Sequence, residues 1–471
     1  NGGVDHQIAP SMRVWIHGKK GPVKAVFGWP AIHTRLSNPE QKEPQPKVSF
    51  GRYSDSYKDA KQYDSWDKAL NLFEKEQYIA SYLEFFNYLR DDFEDNVIWK
   101  VENGKIHFEV FQGSKKATGI ADIEKVTIEA KVAQTEILNI GFMRRLMERN
   151  FSLRYSRFAL DPDNNISIRF DTYILDGSPY KLYYALKELA TNADKLDDIL
   201  IDEFRMLNPV DTIHLINLPL QEKEVKYKYV INEINTAFAA MDSGKPSLDK
   251  YPGGYAYVLL NLSYKLDYLT KPEGFMMETL ERIHRIYFTT DKKNPAQKNV
   301  TIRKELKKLL GRTKEEYFLE MYLTKSTFGI TKPVNHDRIV DFIDGELHNM
   351  DWYNEHNYHS IAIGIPGYIV GYCMFNFAAP HPDRELFHLY YQIVETDYFK
   401  DLGYTLNYYD SEKNTFDKKA IKRAINDIKD NNEELYGRMN PDKSLLKFDT
   451  LTNFAKSFLI MVRNLDLTKT A

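Results

Sequence analysis

Cysteine is almost absent from this chain, which has 471 residues and a single cysteine at position 373. One thiol cannot form an intramolecular disulfide or supply a four-cysteine zinc site, so both features are excluded. So little cysteine is typical of a reducing compartment, and we expect a cytoplasmic protein. Cys373 lies in an apolar run, where a thiol is usually an inert core residue rather than a nucleophile.

Common catalytic motifs are missing as well. The sequence contains no GxxxxGK[ST] phosphate loop, no GxGxxG dinucleotide motif, no GxSxG nucleophile elbow and no HExxH zinc motif. These absences remove the sequence basis for nucleotide binding and for α/β-hydrolase chemistry. We therefore predict no catalytic residues and no cofactor, and a non-enzymatic function is favoured while an enzyme is left open.

Neither charge of one sign nor a long hydrophobic run dominates the chain. The formal net charge is -3, so there is no global basic field for a nucleic acid. Residues 361–379 carry no charge over 19 positions, a length that suits either a membrane span or a buried helix or hairpin. Pro366 and three glycines interrupt this run and favour the buried element. We expect neither a nucleic-acid nor a membrane partner.

The beginning of the chain combines a basic segment with a proline-rich stretch. Residues 13–29 interleave basic and aromatic side chains, which could contact a nucleic acid or an anionic surface. We prefer an arm or hairpin whose aromatic residues pack on the protein itself. Residues 38–47 read NPEQKEPQPK, and their three prolines favour an extended linker. Residues 1–64 are therefore predicted to form an N-terminal arm and proline-rich linker.

Residues 65–204 show the periodicities of a mixed domain. Apolar residues recur at helical spacing over 65–90, 136–148 and 179–199, and alternation or turn signals indicate strands at 97–101, 105–111, 126–132, 153–160 and 166–170. The predicted order is α-β-β-β-α-β-β-α, an α+β domain with helices on one face of an antiparallel sheet. Beyond it, long amphipathic segments predict a mainly α-helical domain over residues 205–471, with helices at 225–241, 255–269, 276–288, 302–310, 315–323 and 418–429.

One run in this mixed domain resembles a known family. Residues 143–151 read MRRLMERNF and are followed by RFALD at 157–161, within a segment of 18 Lys/Arg against 25 Asp/Glu. Asn150 suits the end of a helix because it tolerates the left-handed conformation, and Asp161 begins a turn between strands. With the element order, these features resemble the type III secretion chaperone-like fold and its YbjN-like relatives. The resemblance implies a non-catalytic module that binds extended segments of partner proteins, often as a dimer.

The sequence therefore favours a non-enzymatic, chaperone-like protein that binds a protein or peptide partner, and a homodimer is left open. A partner groove is predicted on the strand face that carries Tyr155, Phe158, Ile166 and Ile168. An extended ligand could then add along the sheet edge. A structural subunit of a larger assembly is a further interpretation.

The alternative is a metal-dependent hydrolase with a histidine-rich site. Imidazole and carboxylate groups that could bind a transition metal are concentrated within about 40 residues of the C-terminal half. These groups belong to His348, Asp351, His356, His359, His381, Asp383 and His388. Ordinary surface or core histidines explain the same pattern, so no metal site is assigned.

Overall fold

The computed structural model describes residues 45–135, 140–203 and 207–470. The fold is the predicted α+β arrangement, with an antiparallel sheet first and a mainly helical part after it. The predicted arm and the first part of the linker, residues 1–44, lie outside the described residues. The elements of the first part are α1 (Ala60–Glu74), α2 (Tyr78–Leu89), β1 (Val97–Glu102), β2 (Lys105–Gln112), β3 (Lys115–Ala121), β4 (Lys125–Thr135), α3 (Ile140–Asn150), β5 (Arg157–Leu160), β6 (Asn165–Tyr173), α4 (Pro179–Glu203) and β7 (Leu207–Pro209).

The helix predicted over residues 65–90 is two helices. Asp59, not Asp64 or Ser65, caps α1 by accepting a hydrogen bond from the backbone N–H of Gln62 at 2.7 Å. Glu76 then adopts a positive φ of 58°, which ends the first helix before α2 begins. The pattern predicted one helix because the apolar spacing resumes with almost the same phase after the break.

Strand β3 was not predicted. Its sequence, KKATGIA, has little of the branched and aromatic character that marks a strand. Gly119 explains part of this composition, because a Cβ added there would lie 2.2 Å from the ring of Phe108 on the neighbouring strand. The residue opposite Phe108 therefore has to be small. A small residue at this position interrupts the alternation of apolar residues that would have indicated a strand in the sequence.

Seven strands of the described chain form one antiparallel sheet. Their order is β1-β2-β3-β4-β6-β5, and β7 pairs with the end of β4. Helices cover one face only: the ring of Phe86 in α2 lies 4.5 Å from that of Phe108, and Leu189 of α4 belongs to the same core as Ile128 of β4. The other face carries the alternate side chains of every strand and has no helix of the described residues on it.

The second part is mainly helical, as predicted. The predicted helix over 315–323 stops at residue 319, and Tyr322–Leu323 pairs as a strand with Ile216–Asn217 instead. Most of the uncharged run lies in a buried helix that ends at Asn376 and has Pro366 in its interior, and Phe377–Ala378 then pairs as a short strand. The helices are α5 (Leu220–Asp242), α6 (Pro252–Thr270), α7 (Gly274–Phe288), α8 (Pro295–Leu310), α9 (Lys314–Leu319), α10 (His336–Leu347), α11 (Met350–Glu355), α12 (His359–Asn376), α13 (His381–Val394), α14 (Thr396–Asp401), α15 (Lys418–Asn432) and α16 (Leu451–Arg463).

Two hydrophobic clusters make up the core, one beneath the sheet and one among the later helices. The extended segment 45–59 runs between them: Phe50 packs on the ring of His388, and Asp55 accepts hydrogen bonds from Tyr183 and Lys187 of α4. Phe328, from the later part of the chain, lies in the cluster beneath the sheet. The predicted domain division at residues 204 and 205 stays a prediction.

Candidate functional site

The predicted partner-binding residues do not share an accessible surface. Phe158 and Ile168 lie opposite each other on β5 and β6, and with Ile166 they are buried in the core beneath the sheet. Tyr155 precedes β5 and is 39% exposed. The side of the sheet on which the sequence placed a groove is thus the side that the helices cover, and only Tyr155 is available to a partner there.

The opposite side of the sheet is open. One row of side chains crosses five strands in register, with Ile98 opposite Glu109, Glu109 opposite Thr118, Thr118 opposite Glu129, and Glu129 opposite Arg169. We call this surface the open face. A depression on the open face has a volume of about 560 Å³.

The open face carries several charged side chains, and these are largely paired. Lys116 Nζ lies 2.9 Å from Glu109 Oε1, and Arg169 Nε lies 3.9 Å from Glu129 Oε2. Both pairs are partly exposed, so each contributes little to stability. This surface can hydrogen-bond to polar groups of a ligand, and Ile98 and Ile120 add exposed apolar surface to it.

The backbone of β1 is the most distinctive part of this region. A two-residue turn, Asn103-Gly104, joins β1 to β2 with positive φ at both residues, so Glu102 forms a hydrogen-bonded pair across the turn. At the other end of β1, the N–H of Phe111 donates to the carbonyl of Asn96 at 2.9 Å. Even-numbered residues of β1 therefore bond to β2, and the N–H and C=O groups of Trp99 and Val101 point away from the sheet.

On the side away from β2, no strand of the described chain lies beside β1. It is the first strand in the sheet order, and no hydrogen bond joins the outward N–H groups of Trp99 and Val101 to any described residue. The side chain of Val101 is 52% exposed and that of Ile98 is 42% exposed, so apolar surface accompanies these backbone groups. We call this strip, residues 97–102 with their outward backbone, the β1 edge.

The opposite edge of the sheet is closed by side chains. Asn150 Oδ1 accepts the outward N–H of Phe158 at 2.6 Å, so Asn150 ends α3 without the left-handed conformation predicted for it. The carboxylate of Glu188 accepts the N–H groups of the three residues that precede β5, at 2.8 to 2.9 Å. Burial tends to raise the pKa of Glu188, but these hydrogen bonds hold it below its usual value. The β5 edge is therefore occupied at Phe158 and in the residues before β5, and only the outward N–H of Leu160 has no hydrogen-bond partner among the described residues.

The histidine-rich segment does not converge on a metal site. His348 and His356 are exposed and lie near carbonyl oxygens of their own helices, and His381 Nδ1 lies 2.9 Å from Asn432 Oδ1. His388 is buried against the hydroxyl of Tyr268. Within residues 45–135, 140–203 and 207–470, no group of three or more His, Cys, Asp or Glu side chains could hold a metal ion.

A buried pair in the same region joins Asp383, one of the groups considered for a metal, to His336, which the sequence pattern did not single out. His336 Nδ1 lies 2.9 Å from Asp383 Oδ1, and this contact joins the first turns of α10 and α13. Burial lowers the pKa of His336, but the carboxylate raises it more, and the result lies above the ordinary value. The spacing of 47 residues between the two gives no sequence signal for their contact.

Comparisons with known proteins do not assign this chain to a family. No model of a protein family matches the sequence, and no curated protein does. No helix of the described ranges is long and apolar enough to cross a membrane.

Proposed function

We propose that the protein binds an extended segment of a partner protein, which adds as a further strand along the β1 edge. The observation that carries this proposal is the outward row of N–H and C=O groups at Trp99 and Val101, on a sheet whose other edge is closed by Asn150 and Glu188. Strand addition supplies affinity through main-chain hydrogen bonds and specificity through alternate side chains. This function is non-catalytic, in line with the resemblance to chaperone-like proteins.

The surroundings of the β1 edge indicate which segment it prefers. On the covered side of the sheet, the partner's side chains would meet Val101 and the ring of Trp99, on which the guanidinium of Arg90 lies at 5.6 Å. On the open face they would meet Ile98 and Lys100. We therefore expect an extended segment with apolar or aromatic residues at alternate positions, and polar or acidic residues between them.

The competing outcome is that a second copy of the chain occupies the β1 edge. An antiparallel pairing of two β1 edges would join two sheets and produce the homodimer that the family resemblance implies. The proposal retains a cytoplasmic location, which the single, fully buried Cys373 supports because no disulfide is formed.

A proline substitution tests the proposal directly. Peptides are selected from a random display library on the immobilised full-length protein, and the best peptide is titrated by fluorescence anisotropy. Val101→Pro removes an outward N–H at an exposed position that makes no hydrogen bond to β2. We expect it to weaken peptide binding by at least about tenfold, since one lost main-chain hydrogen bond and a blocked strand together exceed about 1.4 kcal/mol.

Leu160→Pro is the matched control. Leu160 lies on β5 at the opposite edge, is 36% exposed, and has its N–H directed outward. This variant should bind the peptide like the wild type. Equal losses in the two variants, or selection of no peptide at all, would contradict the proposal. A concentration-dependent dimer that Val101→Pro abolishes would assign the edge to a second copy instead.

A further inference from the structure

The turn between β1 and β2 brings a chemically reactive pair of residues to the surface. Asn103 and Gly104 are both exposed, and their φ angles are 51° and 75°. An asparagine loses its side-chain amide most easily when glycine follows it, because glycine has no side chain that obstructs attack by its own backbone nitrogen. The sequence has one other Asn-Gly pair, at residues 1 and 2, which lies outside the described residues.

The groups that would react at this turn are free. The side chain of Asn103 makes no hydrogen bond to a described residue, and neither does the backbone N–H of Gly104. A Cβ added to Gly104 would have no atom within 4 Å, so no neighbouring group crowds the turn there. The attacking nitrogen and the carbonyl carbon that it attacks are therefore both available.

Two other exposed asparagines with positive φ lack this combination. Asn357 has a φ of 59°, but the N–H of the next residue, Tyr358, donates to the carbonyl of Tyr353 at 2.8 Å. Asn414 has a φ of 52°, and its Oδ1 accepts a hydrogen bond from the hydroxyl of Tyr409 at 2.8 Å. The residue after each of them carries a bulky side chain. These two asparagines are matched controls within the same chain.

We propose that Asn103 is a site of spontaneous deamidation, which limits the lifetime of the β1 edge. The backbone nitrogen of Gly104 attacks Cγ of Asn103, the bond from Cγ to Nδ2 breaks, and the amide nitrogen leaves as ammonia with the proton of the Gly104 N–H. The product is a five-membered succinimide ring. Water then opens this ring at one of its two carbonyl carbons and gives aspartate or isoaspartate. One water is consumed and one ammonia is released, and nothing is oxidised or reduced.

Isoaspartate would disrupt the end of β1, whereas aspartate suits the same turn. The main chain of isoaspartate runs through the former side chain, so an extra carbon enters a turn of only two residues. Glu102 and Lys105, which pair directly across the turn, would then lose their register. Val101, whose outward N–H belongs to the β1 edge, lies two residues before Asn103. The effect on partner binding rests on the proposed function, but the modification itself does not.

Peptide mapping of the full-length protein by mass spectrometry tests the modification. The protein is aged at mildly alkaline pH and digested, and each asparagine is followed by the change in mass from amide to acid. We expect Asn103 to convert at least about tenfold faster than Asn357 and Asn414 in the same sample, with isoaspartate among the products. Conversion of Asn103 no faster than that of these two controls would overturn the inference.

Binding of the peptide selected for the β1 edge tests the consequence. Asn103→Gly is the matched variant, because Gly-Gly also forms this turn and has no amide to lose. Wild-type protein that contains isoaspartate should bind the peptide at least about tenfold more weakly than fresh protein, whereas aged Asn103→Gly should be unchanged. Asn103→Asp should bind like fresh wild type, which assigns the loss to isoaspartate.

The two experiments separate failure of this inference from failure of the proposed function. Equal peptide binding by fresh wild-type protein and by the isoaspartate form would overturn the limit on the lifetime of the β1 edge. Absence of peptide binding by fresh protein would refute strand addition instead, and the rate of conversion at Asn103 would still decide the modification.

Discussion

Arg52 is the residue whose removal should destabilise the protein most clearly. It lies in the extended segment 45–59 and reaches two buried carboxylates: Nε is 2.8 Å from Asp267 Oδ2, and Nη1 is 2.7 Å from Glu281 Oε1. Its guanidinium carbon also lies 4.4 Å from the ring centroid of Phe375. Lys195 of α4 completes the group, with Nζ 2.7 Å from Glu281 Oε2. The cluster therefore ties segment 45–59 and α4 to helices α6 and α7.

The magnitude follows from what Arg52→Met leaves behind. Glu281 keeps Lys195, whereas Asp267, whose side chain is 4% exposed, loses its cationic partner. Removing one member of a buried ion pair typically costs about 3–5 kcal/mol. Burial already raises the pKa of Asp267 in the intact protein, so in the variant this carboxyl should take up a proton readily. We expect a loss of about 3–5 kcal/mol at pH 8 and a smaller loss at pH 5.

Urea unfolding followed by far-UV circular dichroism measures this loss. Arg157→Met is the matched control, because Arg157 pairs with Asp171 at the surface and should cost no more than about 1 kcal/mol. Arg52→Met combined with Asp267→Leu should regain much of the lost stability, since no unpaired charge stays buried. A loss below about 1 kcal/mol for Arg52→Met, or no recovery in the double variant, would refute the reasoning.

Three further predictions concern stability and use the same unfolding assay. The free energy of unfolding should fall as the pH drops from 4.5 to about 2. Burial tends to raise the pKa of Glu281, but its two cationic neighbours hold this pKa at about 2 in the folded protein. Between these pH values the unfolded chain therefore binds a proton that the folded protein does not. The contribution of His336 to the free energy of unfolding depends on pH in the opposite direction, because its pKa in the folded protein is raised above 6.5. This contribution is complete below pH 6.5 and is lost as the pH rises through the pKa of the folded protein. Asp383→Asn should remove this pH dependence of the free energy of unfolding, and an unchanged pH dependence would contradict the pairing of His336 with Asp383. Gly119→Ala should cost about 1–3 kcal/mol because its Cβ would clash with Phe108, and a neutral effect would contradict the packing.

Local patterns in the sequence were enough to predict most elements of the sheet-containing part and the helical character of the second part, although α10, α13 and α16 were not among the predicted helices. Strands β1 and β2 followed from alternation around Asn103-Gly104, and α4 from Ser178 with proline at the first helical position. Strand β3 escaped because close packing against Phe108 demands a glycine, and the break at Glu76 escaped because the apolar spacing continues past it. Short-range signals of this kind do not carry information on long-range contacts.

The candidate site could be predicted even less well, because it depends on long-range contacts that local sequence patterns do not give. Alternation identified Phe158, Ile166 and Ile168 as one face of the sheet, but a pattern of period two does not say whether helices cover that face. Strand order is also a long-range property, so the free edge at β1 and the closed edge at β5 were not accessible from the sequence. The contact of Asn150 with Phe158 depends on that order, and it differs from the helix cap predicted for Asn150.

Amide hydrogen exchange at the β1 edge tests the central claim most directly. With selective ¹⁵N labelling of tryptophan and valine, the amides of Trp99 and Val101 can be compared with that of Val110, which lies in the interior strand β2. In the free protein the two outward amides should exchange much faster than Val110, and a selected peptide should slow both by at least about tenfold. Slow exchange of Trp99 and Val101 in the free protein, or unchanged exchange in the presence of a bound peptide, would contradict strand addition at this edge.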